Sequence, residues 1–348
     1  MRDGRIEGKW IESFARVLSL CKLAAGDAVA ILSESQSRPL NVALAELAAL
    51  RLAARPCHVV LPTPAQRAPV PVRSTGASDA LQGHKPAIAA LAASVLVIDL
   101  TVEGMLHAPE LPEILKGGTR LLMVSNEHPE VLERLLPDPA LEATVRDGIK
   151  LLRAAKRMTV TSAAGSDLAV SVEGAATGGV WGFCAKPGQV AHWPGGLVLC
   201  FPKQGTVNGT LVLDRGDANL TFKRYLESAV RLTIVDDYVT RIEGDGLDAE
   251  LMRSYIAAWG ERDAYATSHL GWGMNPRARW DALALYDKRD VNGTELRAFA
   301  GNFLYSTGAN EAAGRHTLGH FDLPMRNCTV ELDGRPVVIK GALQPPLA

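Results

Sequence analysis

The sequence predicts an α/β protein with two halves of different character: an N-terminal Rossmann-like α/β domain over residues 1–155 and a C-terminal, mainly antiparallel β-rich domain over residues 156–348. Three observations carry this. Strand-like apolar runs alternate with helical patterns in the first half, the signature of a parallel sheet built from strand–helix–strand units. Beyond residue 155 the pattern changes to short strands between glycine-rich turns, as antiparallel sheets require. The length, 348 residues, suits about two domains of roughly 100–200 residues each.

The elements follow in order. Residues 7–23 place apolar side chains at helical spacing, and DAVAILS (27–33) is a short apolar strand. NVALAELAALRLAA (41–54) consists of strong helix formers, and CHVVLP (57–62) is β-branched and strand-like. The proline-rich stretch 62–74 reads as a surface excursion. KPAIAALAAS leads into the strand VLVIDL (95–100), and KGGTR into the strand LLMVS (121–125). The helix ALEATVRDGIKLLRAAK (140–156) closes the first half. In the second half RMTVTSAAGSDLAVSVEG forms two strands about a turn. GLVLCFP, GTVNGTLVLD, NLTFKRYL and VRLTIVDDYVTRIEGD supply further strands, interrupted by helices at 249–259 and 278–287. CTVELDGRPVVIKG ends in two strands around Asp333-Gly334, a hairpin turn signal.

Composition narrows the function. A hydrophobic fraction of 47% and a charged fraction of 22% are ordinary for a globular protein whose core needs no disulfide or metal staple. The net charge is −1 and no basic stripe stands out, which argues against nucleic acid or an anionic membrane surface as partner. No run reaches the ~18 apolar residues of a membrane span. Cys21, Cys57, Cys184, Cys200 and Cys328 are odd in number and form no CxxC pair, so they read as free thiols in a reducing compartment. The charged start MRDGRIEGKW lacks an apolar signal region, and the expectation is a cytoplasmic protein. Neither GxGxxG after the first strand nor GxxxxGK[ST] is present, so a dinucleotide or P-loop site has no support.

The histidines carry the chemistry. GRHTLGHFDLPMRNC (314–328) holds His316 and His320, and Phe321 and Asp322 follow the second. Residues i and i+2 of an extended chain share a face, so His320 and Asp322 can point at one metal ion. His269 lies in SHLGWGMNP, read as a loop whose Gly271 and Gly273 allow close backbone approach to a ligand or metal. Two imidazoles and one carboxylate suit Fe(II) in oxygen-activating enzymes, because one face stays open. A zinc hydrolase uses the same set with one water position. Spacing alone leaves both open, together with accidental loop polarity. His107 follows the strand VLVIDL, and ligands of open α/β sheets bind beyond the carboxyl ends of strands. A plain loop histidine fits there too. His192, in the turn His-Trp-Pro-Gly-Gly, lines an aromatic pocket or caps a hairpin. His58, His84 and His128 read as surface or core residues.

PGGLVLCFP, GTVNGTLVLD, HLGWGMNP and GHFDLP occur in that order. The ordered set resembles the thermophilic leucyl-aminopeptidase family of metallopeptidases, whose corresponding segments carry a two-metal centre. It is more similar still to the dihydroxypyridine ring-cleaving dioxygenases, which share that fold. The resemblance covers most of the chain, strongest from about residue 190 to 325, and implies an aminopeptidase-like C-terminal half. The departures from the peptidases are informative. Leu197 stands where they have a metal-binding glutamate, and His269 where they have a second one. In RAFAGNFLYS, Arg297 lies near their histidine, and Tyr305 aligns with their tyrosine only after a shift. Without those carboxylates a second metal is not held, and His269, His320 and Asp322 fit one Fe(II). His316 then reads as a neighbour of the site or a loop residue.

The resemblance therefore implies an Fe(II)-dependent, extradiol-type ring-cleaving dioxygenase. It would convert 2,5-dihydroxypyridine and O₂ to N-formylmaleamic acid in nicotinate or nicotine degradation, and would assemble as a homo-oligomer. It implies acid–base roles for His107 and His192, and contact with the small hydroxypyridine substrate for Arg297 and Ser306. Trp193 and Trp272 read as core first and as walls for the ring second, and Phe321 as packing behind the metal. The alternatives are a metal-dependent aminopeptidase or related hydrolase, and a fold-only interaction module without metal.

Overall fold

The computed structural model describes residues 4–66, 78–124 and 126–348. Most of the surface excursion expected at 62–74 therefore lies outside the described residues, as does Ser125, the last residue of the expected strand 121–125.

A parallel five-stranded sheet forms from Arg55–Leu61, Ala28–Glu34, Leu96–Asp99, Arg120–Met123 and Val190–His192, in that spatial order. Its faces separate by the two-residue period of a strand. Val29, Ile31, Leu96 and Ile98 pack in one core with the helices Gly8–Leu20 and Pro39–Arg51. Ala30, Leu32, Val97 and Leu121 face the other way, toward the helices Lys85–Ala92 and Leu111–Leu115. Both faces are covered, so the central strands are continuous apolar runs. The fifth strand comes from later in the chain. The expected division at residue 155 falls just after the helix Pro139–Ala154. The chain then runs through three strands and returns at Val190–His192 to the edge of the first sheet, with His192 opposite Met123.

The rest is antiparallel. An eight-stranded sheet includes Arg157–Thr161, Val207–Leu213 and the hairpin Thr329–Leu332 with Arg335–Ile339. A five-stranded sheet runs in the order Phe321–Met325, Phe303–Thr307, Thr267–Gly273, Leu197–Phe201 and Ala176–Val180. This smaller sheet carries the candidate site. Among the described residues no helix is long and apolar enough to cross a membrane.

Three local expectations change. HLGWG is no loop: Thr267–Gly273 is a fully buried central strand. Its glycines serve the sheet and not a ligand, since a Cβ on Gly271 would stand 1.9 Å from the Val198 carbonyl oxygen and one on Gly273 2.0 Å from that of Phe299. The helix expected at 278–287 shrinks to Ala282–Leu285; before it the Arg279 amide donates to the Glu295 carboxylate and the Arg279 side chain pairs with Asp281. NLTFKRYL is a small hairpin, Ala218–Asn219 with Arg224–Tyr225, instead of one strand. The short helices Leu111–Leu115 and Pro129–Arg134 carry too few residues to show a period.

Candidate metal centre and its cavity

Three sheet strands bring the donors together. Asp322 is the second residue of Phe321–Met325 and pairs with Ser306 on the neighbouring strand. His320 sits two residues before Asp322, and the two side chains share a face. Phe321, between them, points away and packs on Tyr255 with ring centroids 4.9 Å apart. His269 lies where the register between Thr267–Gly273 and Phe303–Thr307 shifts, between the Thr267 and Leu270 pairs. A bulge there re-aims the side chain, as irregularities beside active sites commonly do.

The ligand atoms of His269, His320 and Asp322 all lie within 4.8 Å of one another, and all three residues are buried. His320 Nε2 is 3.3 Å and His269 Nε2 3.8 Å from Asp322 Oδ1. Ser306 Oγ donates to the same Oδ1, and Arg297 Nε donates to Oδ2 at 2.5 Å. Burial pushes the Asp322 carboxyl up, but Arg297 and His320 outweigh it and hold it well below the usual carboxylate range. Burial is the main cause that lowers His269 to about 3, with Asp322 opposing and His320 and His107 adding to it. His269 is thus neutral at pH 7, with a lone pair available. His269 Nδ1 and His320 Nδ1 are buried without a hydrogen-bond partner. The Nε2 atoms of both rings face Asp322 Oδ1, and a cation seated among these three atoms is one that both imidazoles and the carboxylate can ligate. Two neutral-capable imidazoles and an ionised carboxylate fit one divalent transition metal.

A cavity of about 60 Å³ opens beside this cluster, and Arg297, His107, His192, Leu197 and Leu199 stand in its wall. Leu197 and Leu199 come from the strand Leu197–Phe201 and give the cavity an apolar side, while Glu103 also lines it.

His107 reaches the cavity from the loop after Leu96–Asp99. The Asp99 carboxylate shapes that loop by accepting the Thr101 and Met105 amides at 3.0 and 2.8 Å. The His107 ring centroid lies 6.1 Å from that of His269 and 6.0 Å from that of His320. Its Nδ1 meets Glu311 Oε1 at 2.9 Å. His192 lies at the carboxyl end of the fifth strand, the position where open α/β sheets bind ligands. Its Nδ1 donates to the Pro194 carbonyl at 2.6 Å. Burial lowers His192 to about 4, opposed by that carbonyl.

Arg297 rides on the helix Thr294–Ala298. The Asn292, Gly293 and Thr294 amides at its start donate to the buried Glu127 carboxylate at 3.2, 3.1 and 2.8 Å. Ser306 does not reach the cavity wall; its hydroxyl is spent on Asp322. His316 is exposed and stands apart from the donor cluster, in an outer depression it shares with His107. Trp193 and Trp272 are core residues: the indole of Trp193 donates to the Leu135 carbonyl, and that of Trp272 meets Met274 Sδ. Sequence reasoning missed Glu127 and Glu311, since single glutamates in loops carry no spacing signal.

A buried cluster of two histidines and one carboxylate beside a small cavity has the donor set of a metalloenzyme site. Over residues 9–345 the sequence matches the family profile described as 2,5-dihydroxypyridine 5,6-dioxygenase. The chain belongs to the 2,5-dihydroxypyridine 5,6-dioxygenase family and is an enzyme of the dioxygenase class. A curated 2,5-dihydroxypyridine 5,6-dioxygenase of Pseudomonas putida KT2440 is 38% identical over 339 residues, 96% of each chain. The solved structure of the dihydroxypyridine dioxygenase from Pseudomonas putida KT2440 superposes with a TM-score of 0.91 at 38% identity, covering 97% of both chains. AmpT from Thermus thermophilus has a TM-score of 0.63 at 14% identity, over 96% of this chain and 99% of that one, a likeness of fold alone.

Proposed function

We propose that this chain opens 2,5-dihydroxypyridine between C5 and C6 with O₂ and Fe(II), giving N-formylmaleamic acid, a step of nicotinate or nicotine degradation. The observation that carries the reading is the donor set His269, His320 and Asp322, the one such set among the described residues, in a cavity that Leu197 and Leu199 also line. Family membership supports the substrate class. Fe(II) held by those three side chains would supply the one-electron chemistry that lets O₂ react with an aromatic ring.

The protein's own residues do the rest. Arg297 lines the cavity and suits a ring oxygen or nitrogen, while its Nε–H holds Asp322 in place. Ser306 acts through Asp322 by fixing its other oxygen. Leu197 and Leu199 exclude water from one side of the ring. His192 donates Nδ1–H to Pro194, so its Nε2 is the accepting nitrogen. His107 and His192 move protons to and from the ring hydroxyl and the opening product. Both atoms of O₂ end in the product, so no external reductant is required. The five free thiols agree with a reducing, cytoplasmic setting, and self-association belongs to the same reading.

The test is labelling. With ¹⁸O₂ the product acquires both labelled atoms and the ring absorbance is lost. Unlabelled product, or zinc-dependent cleavage of leucyl peptides with no O₂ consumed, would return the chain to the hydrolases.

A further inference from the structure

We propose that Glu311 is a positioning residue for ring opening: it fixes the His107 imidazole so that Nε2, and not Nδ1, is the proton acceptor at the cavity. The proposal rests on the acid–base reading of His107 and names the device that makes it work.

The geometry is specific. Glu311 Oε1 lies 2.9 Å from His107 Nδ1, across 204 residues of sequence. The two come from different halves of the molecule. The His107 side chain is 2% exposed and that of Glu311 42%, so the pair joins a buried ring to a partly exposed carboxylate. An ionised carboxylate only accepts hydrogen bonds, so Nδ1 carries the hydrogen and the Nε2 lone pair is left over.

Glu311 is not placed by chance. It opens the short 3₁₀ turn Glu311–Ala313, whose Ala313 amide donates to Asn310 Oδ1 at 3.1 Å. Asn310 is fully buried, and its Nδ2 donates to the Pro202 carbonyl at 2.9 Å. A few residues on, Arg315 pairs with Asp237 and donates to the Thr267 carbonyl at 3.0 Å. The loop is pegged on both sides of Glu311, and the same loop ends in the ligand His320. One segment therefore sets both a metal donor and the partner of the cavity base. Burial pushes the Glu311 carboxyl up, but its bond to His107 outweighs that and holds it below the ordinary value, so it is ionised at neutral pH.

Comparison with His192 decides which histidine takes the proton. The Nδ1 partner of His192 is a neutral carbonyl, and that of His107 is a carboxylate. In the proposed step the substrate's ring O–H bond breaks and an N–H bond forms at His107 Nε2. The electron pair stays on the substrate oxygen. The resulting imidazolium keeps Nδ1–H on the Glu311 carboxylate, a charge-assisted bond roughly twice as strong as a neutral one. The Nδ1–H of His192 meets only a neutral carbonyl, so an imidazolium there forms no bond of that kind.

The experiment uses the full-length, Fe(II)-loaded enzyme for kinetics and ¹⁵N spectra of the imidazoles for the tautomer. Glu311→Ala is expected to lower kcat about 10–100-fold with KM changed by less than about 3-fold, the scale for losing a histidine's orienting partner. Glu311→Gln restores part of the rate, because its amide oxygen still accepts Nδ1–H. His107→Ala with Glu311→Ala is no slower than His107→Ala alone, since the two act as one unit. The His107 spectrum moves from the Nδ1–H form in the wild type to a tautomer mixture in Glu311→Ala. A Glu311→Ala enzyme at the wild-type rate beside a slow His107→Ala overturns the proposal and leaves the reading of His107 standing. So does an unchanged His107 tautomer. A fully active His107→Ala enzyme overturns that reading and the role of Glu311 with it.

Discussion

Asp322 is the residue on which the site turns. One oxygen faces both imidazoles and accepts from Ser306; the other accepts from Arg297. On the proposed reading these side chains hold the iron, and His320→Ala or Asp322→Ala is expected to leave the protein without bound iron after dialysis, read by metal analysis. Iron at wild-type stoichiometry would reject either as a ligand. Ser306→Ala keeps the donors but frees Asp322, and metal affinity should fall about 10–100-fold in a chelator competition. His192 has its own signature. Its folded value of about 4 lies below the usual 6.5, so folding favours the neutral ring. Its stabilisation is complete above pH 6.5 and is lost as pH falls toward 4, by up to about 1.4 kcal/mol per pH unit. Denaturation of metal-free His192→Gln should show a flatter dependence in that window; an unchanged slope contradicts the neutral ring. His320 and Asp322 were legible because the strand period puts i and i+2 on one face. The Glu311 partner of His107 was not, because 204 residues separate them and only the folded loop joins them.

At the scale of elements, the site depends on the central strand Thr267–Gly273. It pairs with Leu197–Phe201 on one side and Phe303–Thr307 on the other, and thereby holds His269 between the cavity leucines and Ser306. Gly271→Ala puts a methyl 1.9 Å from a backbone carbonyl that cannot move without parting the sheet. Overpacking typically costs about 1–3 kcal/mol and here should exceed that range, read as a lowered denaturant midpoint and lost metal. A variant of wild-type stability would show that the strands are not so closely joined. The sequence pointed the wrong way here. Glycines beside a histidine look like a ligand loop, and only the neighbouring strand shows that they answer to a carbonyl. The helices of the first half were legible, as 7–23 and 41–54 correspond to Gly8–Leu20 and Pro39–Arg51 with frayed ends. The expected helix at 278–287 forms only over Ala282–Leu285, and the Arg279 amide before it is turned to Glu295.

At the scale of the molecule, both halves build one cavity. The parallel sheet contributes His107 and, through a late returning strand, His192; the antiparallel sheet contributes the donors and the leucine wall. The change of pattern near residue 155 announced the two kinds of sheet. It could not announce the return of Val190–His192, because three residues are too few to show a period. The proposed O₂ chemistry at one ion is tested by metal replacement. Metal-free protein is loaded anaerobically with Fe(II) or Zn(II), and oxygen uptake is followed with 2,5-dihydroxypyridine. One bound Fe(II) per chain, one O₂ consumed per substrate lost, and no uptake with zinc are expected of that chemistry. Equal activity with zinc, or two metal ions required per chain, would contradict it.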